Sequence, residues 1–462
     1  MGTILSKEYF GIFMIIRRII GVAVPLITLN LGVGLARYVS YKREKEKEFL
    51  NISLWTVILL SLTLIIIFSL YNKQLSKFFF NTYNYGIFII LTGLCLLGYG
   101  IYHLSYAFFR GQQNMAKANK THILYHFFPI LLSLILWKIF KNEYFKILSS
   151  YLFFLSLWGI TLGIIYLRYN LLFLSISRIK KEYQLIKQLF SYSLSRIPAG
   201  FFLALTLGTP VFVASHKLSL VSAAYIGIAI AVLRLMETFA TPFNLLFLPK
   251  FAEVKRRSNQ EEIKYKVSIV IDFVITFLPL LTIMAYGFSK YIVVIFFGHK
   301  YIPAVSSVSI VILFSFFYIG YVLARGVLDA LFHFPYVNVI CLTSFLTVGL
   351  LSHIFCNNIF LLAIDFCIGI AVMGITALWL LIKKCNVSIQ IQQFLLPVFL
   401  SIITFLILFI ADRYIDELII NEYWTLLIFT LNRILLFFVL FLIYWKPKTL
   451  WMQEVLIKFQ LK

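Results

Sequence analysis

The sequence predicts an all-α, polytopic integral membrane protein of about 13 transmembrane helices, built as two pseudo-repeated helical lobes plus a C-terminal helix pair. Three observations predict it. The first is composition: of 462 residues 61% are hydrophobic and only 13% charged, with a mean hydropathy of +0.94, more apolar surface than a water-soluble core can bury. The second is length, because apolar runs able to cross about 30 Å of hydrocarbon at ~1.5 Å per residue follow one another with short polar joins. The third is an internal echo. Tyr106-Ala-Phe-Phe-Arg-Gly111 returns as Tyr321-Val-Leu-Ala-Arg-Gly326 at an offset of 215, and Glu8-Tyr-Phe-Gly-Ile12 returns as Ala224-Tyr-Ile-Gly-Ile228 at an offset of 216. In a membrane chain a repeat of this length means two helical lobes with a substrate path between them, the plan of a secondary transporter.

The spans fall at 12–36, 51–71, 85–106, 120–139 and 148–168, then at 190–214, 219–248, 267–287, 305–326, 335–355 and 359–382, and finally at 393–413 and 423–445. The run 219–248 is longer than a perpendicular crossing needs, so it must tilt, kink or lie partly in the interface. Pro25, Pro129, Pro198, Pro210, Pro242, Pro279 and Pro397 lie within spans and are expected to bend or break them. The first lobe is read as 1–168, a basic cytoplasmic linker as 169–188, the second lobe as 189–382, and the last helix pair with a cytoplasmic tail as 383–462. Shifting the 190–214 span back by the repeat offset puts its partner before Met1. The expectation is a 14-span architecture whose first helix is missing from this chain.

A net charge of +23 would suggest nucleic acid in a soluble protein, but here the basic residues alternate in density from loop to loop, so no nucleic-acid partner is expected. One face carries 26 Lys and Arg, in clusters such as Arg37/Lys42/Arg43/Lys45/Lys47 and Lys250/Lys255/Arg256/Arg257/Lys264/Lys266, and the other carries 10. The richer face is expected to be cytoplasmic, with the C-terminus on that side. Cys95, Cys341, Cys356, Cys367 and Cys385 have no metal-ligand or CxxC spacing and read as apolar packing residues, so no metal, disulfide or cofactor is implied. Polar loops run to only about twenty residues, which leaves little room for catalysis. A transporter is expected, not an enzyme.

At this point the residues resemble a known family, the polysaccharide-type flippases of the multidrug/oligosaccharidyl-lipid/polysaccharide (MOP) exporter superfamily, Wzx-like transporters of O-antigen, capsule or teichuronic acid. Leu5-Ser-Lys-Glu-Tyr-Phe-Gly-Ile-Phe13 is similar to the family's turn between its first two helices, and Ser193-Leu-Ser-Arg-Ile-Pro198 to the start of the second lobe in O-antigen transporters. Ser222-Ala-Ala-Tyr-Ile-Gly227, Leu248-Pro-Lys-Phe-Ala252 and Phe296-Phe-Gly-x-x-Tyr301-x-Pro-Ala304 also match, in order along the chain. The resemblance implies a bacterial inner-membrane protein that flips undecaprenyl-pyrophosphate-linked oligosaccharide by alternating access around a cationic inter-lobe cavity. It implies as partners the lipid-linked oligosaccharide, membrane lipids, an H+ or Na+ coupling ion, and a polysaccharide polymerase and glycosyltransferases in the same pathway. The rivals are a multidrug/cation antiporter, a peptidoglycan lipid-precursor flippase and, from another class, a glycan polymerase or ligase.

A pyrophosphate in a poorly hydrated cavity calls for arginine, which stays charged and offers a fork of donors to phosphate oxygens. Arg17, Arg18, Arg196 and Arg234 lie in spans or at a span mouth and are the substrate-binding candidates, with Arg433 in the last span more simply structural. Arg234 has Glu237 three residues on, so an intrahelical pair competes with a binding role. Arg17 and Arg18 point about 100° apart and should not share one cavity. The acids within spans, Glu237, Asp272 and Asp365, are the candidates for proton or cation coupling. His103 and His126 could shuttle protons, but isolated histidines are more often structural.

Overall fold

The computed structural model describes residues 1–167, 183–256, 260–332 and 334–387, with single positions at 399, 403 and 406. Most of the basic linker and of the C-terminal helix pair, including Arg433, therefore lies outside the described residues. Within them the chain is helical and has no strand, and 11 helical stretches are long and apolar enough to cross a membrane. They coincide with the first 11 spans read from the sequence.

The helices are α1 (Lys7–Thr28), α2 (Leu31–Tyr41), α3 (Glu46–Leu70), α4 (Asn72–Phe80), α5 (Gly86–Gly111), α6 (Met115–Phe140), α7 (Tyr144–Leu167), α8 (Tyr183–Leu194) and α9 (Ile197–Lys217). They continue as α10 (Leu220–Arg256), α11 (Gln260–Tyr286), α12 (Ser289–Phe297), α13 (Val305–Leu331), α14 (Tyr336–Phe355) and α15 (Ile359–Cys385). Polar caps start several of them: Ser6 accepts the Tyr9 N–H ahead of α1, Asn114 that of Lys117 ahead of α6, and Asn358 that of Leu361 ahead of α15. Moved by the echo offset, α3 to α7 fall on α11 to α15 with nearly the same lengths and order. The repeat thus extends through five consecutive helices of each unit.

One element departs from it. The span expected as a single run at 12–36 is two helices, α1 and α2, whereas its counterpart α10 runs on for 37 residues. The joint is made by Leu29 (φ 46°) and Asn30 (φ 51°), two consecutive left-handed residues four and five positions after Pro25. Asn tolerates that conformation and Leu does not, so Leu29 carries local strain on the order of 1–3 kcal/mol. Pro129, Pro210 and Pro279 stay inside continuous helices, and Pro198 sits at the first turn of α9, where its missing N–H costs nothing.

By contacts the chain divides into two units, Met1–Gly227 and Ile228–Lys462. In the first, α5 is the hub, touching α1, α2, α3, α4, α6 and α7, and α9 packs along α1. In the second, α13 plays the corresponding part, against α11, α12, α14 and α15. The tightest helix pairs are α5 with α7 and α13 with α15, and glycine explains both. A Cβ on Gly159 of α7 would lie 2.5 Å from the Gly98 carbonyl oxygen of α5, and a Cβ on Gly374 of α15 would lie 2.5 Å from the Phe317 carbonyl oxygen of α13. Gly159 and Gly374 are 215 positions apart, the offset of the echo. The echo glycines Gly11 and Gly227 likewise meet, respectively, the Leu220 backbone and Met14 inside the first unit.

Gly159→Ala and Gly374→Ala should each lower stability by about 1–3 kcal/mol, because the backbone met there cannot move aside. Gly349→Ala, whose new Cβ meets open space, should be neutral or stabilise by up to about 1 kcal/mol. Thermal unfolding in detergent reads the difference, and equal behaviour of the three variants would show that close approach does not set the packing.

Candidate functional site

The charged side chains inside the membrane-spanning helices are where chemistry concentrates. In the first unit, α1 presents Arg17 and Arg18 to different neighbours, as helical geometry requires. Arg17 is exposed; its guanidinium lies 5.8 Å from the Phe13 ring centre and within electrostatic reach of His126 on α6 and Tyr151 on α7. Arg18 is half-buried and stands beside Gly208 of α9.

Arg196 sits at the N-cap of α9, apart from both. Its guanidinium stacks 4.0 Å from the Tyr192 ring centre and donates to the Tyr192 carbonyl at 3.3 Å. Arg37 of α2 lies over the same ring at 4.3 Å, and Lys42 donates to Gln188 at 3.0 Å nearby. Among the described residues no carboxylate lies within ion-pair distance of Arg37 or Arg196. Asn30 at the α1–α2 joint donates to the Arg196 carbonyl at 2.6 Å. Sequence reading passed over Arg37 and Tyr192, since Arg37 counts there only as one more loop cation.

In the second unit, Arg234 and Glu237 of α10 are brought together. The guanidinium is 2.5 Å from the Glu237 carboxylate and donates to the Tyr318 hydroxyl at 2.9 Å, and that hydroxyl donates to Glu237 at 3.1 Å. Tyr318 is fully buried, whereas the Arg234 side chain is 48% exposed. The competing intrahelical pair is thus present, with Tyr318 as its third member. Asp272 is buried on α11, where Thr276 donates to its backbone carbonyl at 2.6 Å. Asp365 of α15 is 4% exposed, and its Oδ2 has no hydrogen-bond partner among the described residues. An ionised carboxylate there has little to offset its lost hydration. All five cysteines are buried and outside any disulfide, Cys95 donating to the Leu152 carbonyl at 3.1 Å.

The half-exposed Arg234–Glu237 pair should be weak as a structural bond. A double-mutant cycle with Arg234→Gln and Glu237→Gln, read by unfolding in detergent, should give a coupling of about 1 kcal/mol or less. A coupling of several kcal/mol would mark the pair as a structural element.

Comparison with known proteins follows the same lines. No curated protein matches the sequence. Among solved structures, the lipid II flippase MurJ in an inward closed conformation is similar with a TM-score of 0.68 and 15% identity, covering 95% of this chain and 97% of that one. A multidrug resistance MATE family transporter of the MOP superfamily is similar in its inward-facing conformation (TM-score 0.62, 13% identity, 83% of this chain and 92% of that one). An outward-facing structure of such a transporter gives 0.55, 13%, 82% and 86%. At these identities the likeness is one of fold, and the fold is that of MOP superfamily transporters. The model of the polysaccharide biosynthesis protein family matches residues 1–306, and the chain belongs to that family.

Proposed function

We propose that this chain flips a lipid-linked oligosaccharide, with undecaprenyl pyrophosphate as the carrier, from the cytoplasmic to the outer leaflet of a bacterial inner membrane by alternating access. The glycan would serve a surface polysaccharide such as capsule or O-antigen. The observation that carries this reading is the joining of a polysaccharide-biosynthesis family to a transporter fold. Among the neighbours, MurJ is itself named a flippase of a lipid, lipid II.

The role of each residue follows from its chemistry. Arg234 beside Glu237 in the second unit, and in the first unit Arg196 on its tyrosine and Arg17 or Arg18, are the groups for pyrophosphate, each by itself offering a planar fork that lysine lacks. Asp365, buried and with no donor to Oδ2 among the described residues, takes up the coupling cation, a proton or Na+, and Glu237 and Asp272 are the further acids on that route. A multidrug reading has the MATE neighbours in its favour, but exposed arginines in membrane-spanning helices repel cationic drugs. A polymerase or ligase reading has no such neighbour in its support.

Inside-out vesicles carrying the purified chain and a labelled lipid-linked glycan provide the test. Arg234→Ala should cut flipping by at least roughly tenfold, the worth of about 1.4 kcal/mol, and Arg234→Lys by less. Undiminished flipping by a folded Arg234→Ala protein would remove that residue from the substrate path, and export of a cationic dye in place of the glycan would favour the antiporter. Asp365→Asn should abolish dependence on the ion gradient at unchanged protein abundance. Orientation is tested by single cysteines: one at exposed Ser40 should resist an impermeant thiol reagent in intact cells, while one at exposed Lys290 should react. Its neighbour Ser289 is unsuitable because it is buried and accepts from Ser309 at 2.7 Å.

A further inference from the structure

Helix α6 carries His122 and His126 one turn apart, and both are exposed. Counted from Met115 at the helical rise they stand about 10 and about 16 Å along a membrane-crossing helix. The remaining outward side of α6 is what lipid requires, with Ile123, Phe127, Ile130 and Leu134 exposed in one arc. The histidines lie on the flank between that arc and the buried edge marked by Tyr125. Exposed imidazoles at such depth are tolerated where they meet water and not acyl chains. Their place on α6 suits a flank that meets water.

What stands beside it is uniform in character. The Tyr102 hydroxyl is hydrogen-bonded to His122 Nδ1 at 2.6 Å, and the Tyr125 ring lies flat on Tyr102, 3.8 Å between centres with 6° between planes. His122 and His126 are 4.4 Å apart edge to face, Tyr106 is 5.1 Å from His122, and Arg17 reaches His126 electrostatically. Tyr102 and Tyr125 are buried and do the packing between α5 and α6. His122 joins that packing through Nδ1, while both imidazoles keep an exposed side. Flat ring faces next to hydrogen-bonding edges, in a wet site beside a cation, are complementary to one class of ligand present in the cargo. A pyranose ring has a C–H face that lies against an aromatic ring and hydroxyls that exchange hydrogen bonds with ring nitrogens and phenols.

We infer that His122 and His126, backed by the Tyr102–Tyr125 stack, form a saccharide subsite in the first unit, contacting a sugar ring of the transported glycan separately from its pyrophosphate. The inference rests on the glycan-carrying reading above and adds where the sugar is held. It gives a use to the exposed side of a histidine pair whose inner side joins the α5–α6 contact.

The test uses the full chain in lipid nanodiscs and, as probe, the glycan released by mild acid from the host's lipid-linked pool, which has lost both lipid and pyrophosphate. Saturation-transfer NMR should detect binding to the native protein. His122→Ala and His126→Ala should each weaken it roughly five- to tenfold, and His126→Gln, which keeps a polar edge but loses the ring, should weaken it too while guarding against loss of fold. Native-like binding by all three variants would overturn the subsite. So would a native protein that binds the intact lipid-linked glycan and ignores the released one, and this outcome would leave the flippase reading standing. If neither form binds, both readings fall.

Discussion

Inside a bilayer the solvent is as apolar as the helices, so helices associate only where their surfaces fit closely enough for dispersion and polar contacts to exceed those with lipid. In this chain the fit is made at backbone contact. Gly159 against Gly98, and Gly374 against Phe317, let α7 and α15 come so near to α5 and α13 that a methyl group would strike a carbonyl. The rest of each unit is arranged around the resulting hubs: α6 stands beside α5 because α5 is held, and the Tyr102–Tyr125 stack is a consequence of that placement.

Charge is handled in three different ways within the same apolar surroundings. Arg234 is offset by a carboxylate and a buried phenol, a polar triad that tolerates half-exposure. Arg37 and Arg196 lie against one tyrosine ring, where the π-face supplies a weak attraction and leaves the donors of the fork largely unspent. Asp365 has neither solution at Oδ2 among the described residues. The first arrangement stabilises a charge, the second keeps one available, and the third is suited to a group whose charge changes.

Much of this was legible in the sequence and some was not. Span positions were, because roughly twenty apolar residues in a row leave few alternatives, and the echo between Tyr106–Gly111 and Tyr321–Gly326 led to a repeat that extends over α3–α7 and α11–α15. The Arg234–Glu237 pair followed from spacing of three along a helix. The α1–α2 joint was not legible, because Leu29-Asn30 is an unremarkable dipeptide and its left-handed backbone is imposed from outside it. Nor was the histidine flank of α6: His126 was seen as an isolated imidazole, and Tyr102 comes beside it only when α5 and α6 lie side by side. Arg37 and Tyr192 are 155 positions apart and could be joined only by the fold. The spacing of His122 and His126 by four was the one signal that could have been read.

The Leu29–Asn30 joint also makes the two halves of the repeat mechanically unlike. α10 is one continuous helix, whereas α1 and α2 meet at a crank whose Leu29 holds a backbone conformation that costs an L side chain energy. The crank is latched by the Asn30 amide on the Arg196 backbone carbonyl, so the catch closes on main chain and not on the guanidinium, which lies on Tyr192 instead. A substitution at Asn30 removes the catch, whereas one at Arg196 leaves its acceptor in place, so the bend and the charge beside it can be altered one at a time.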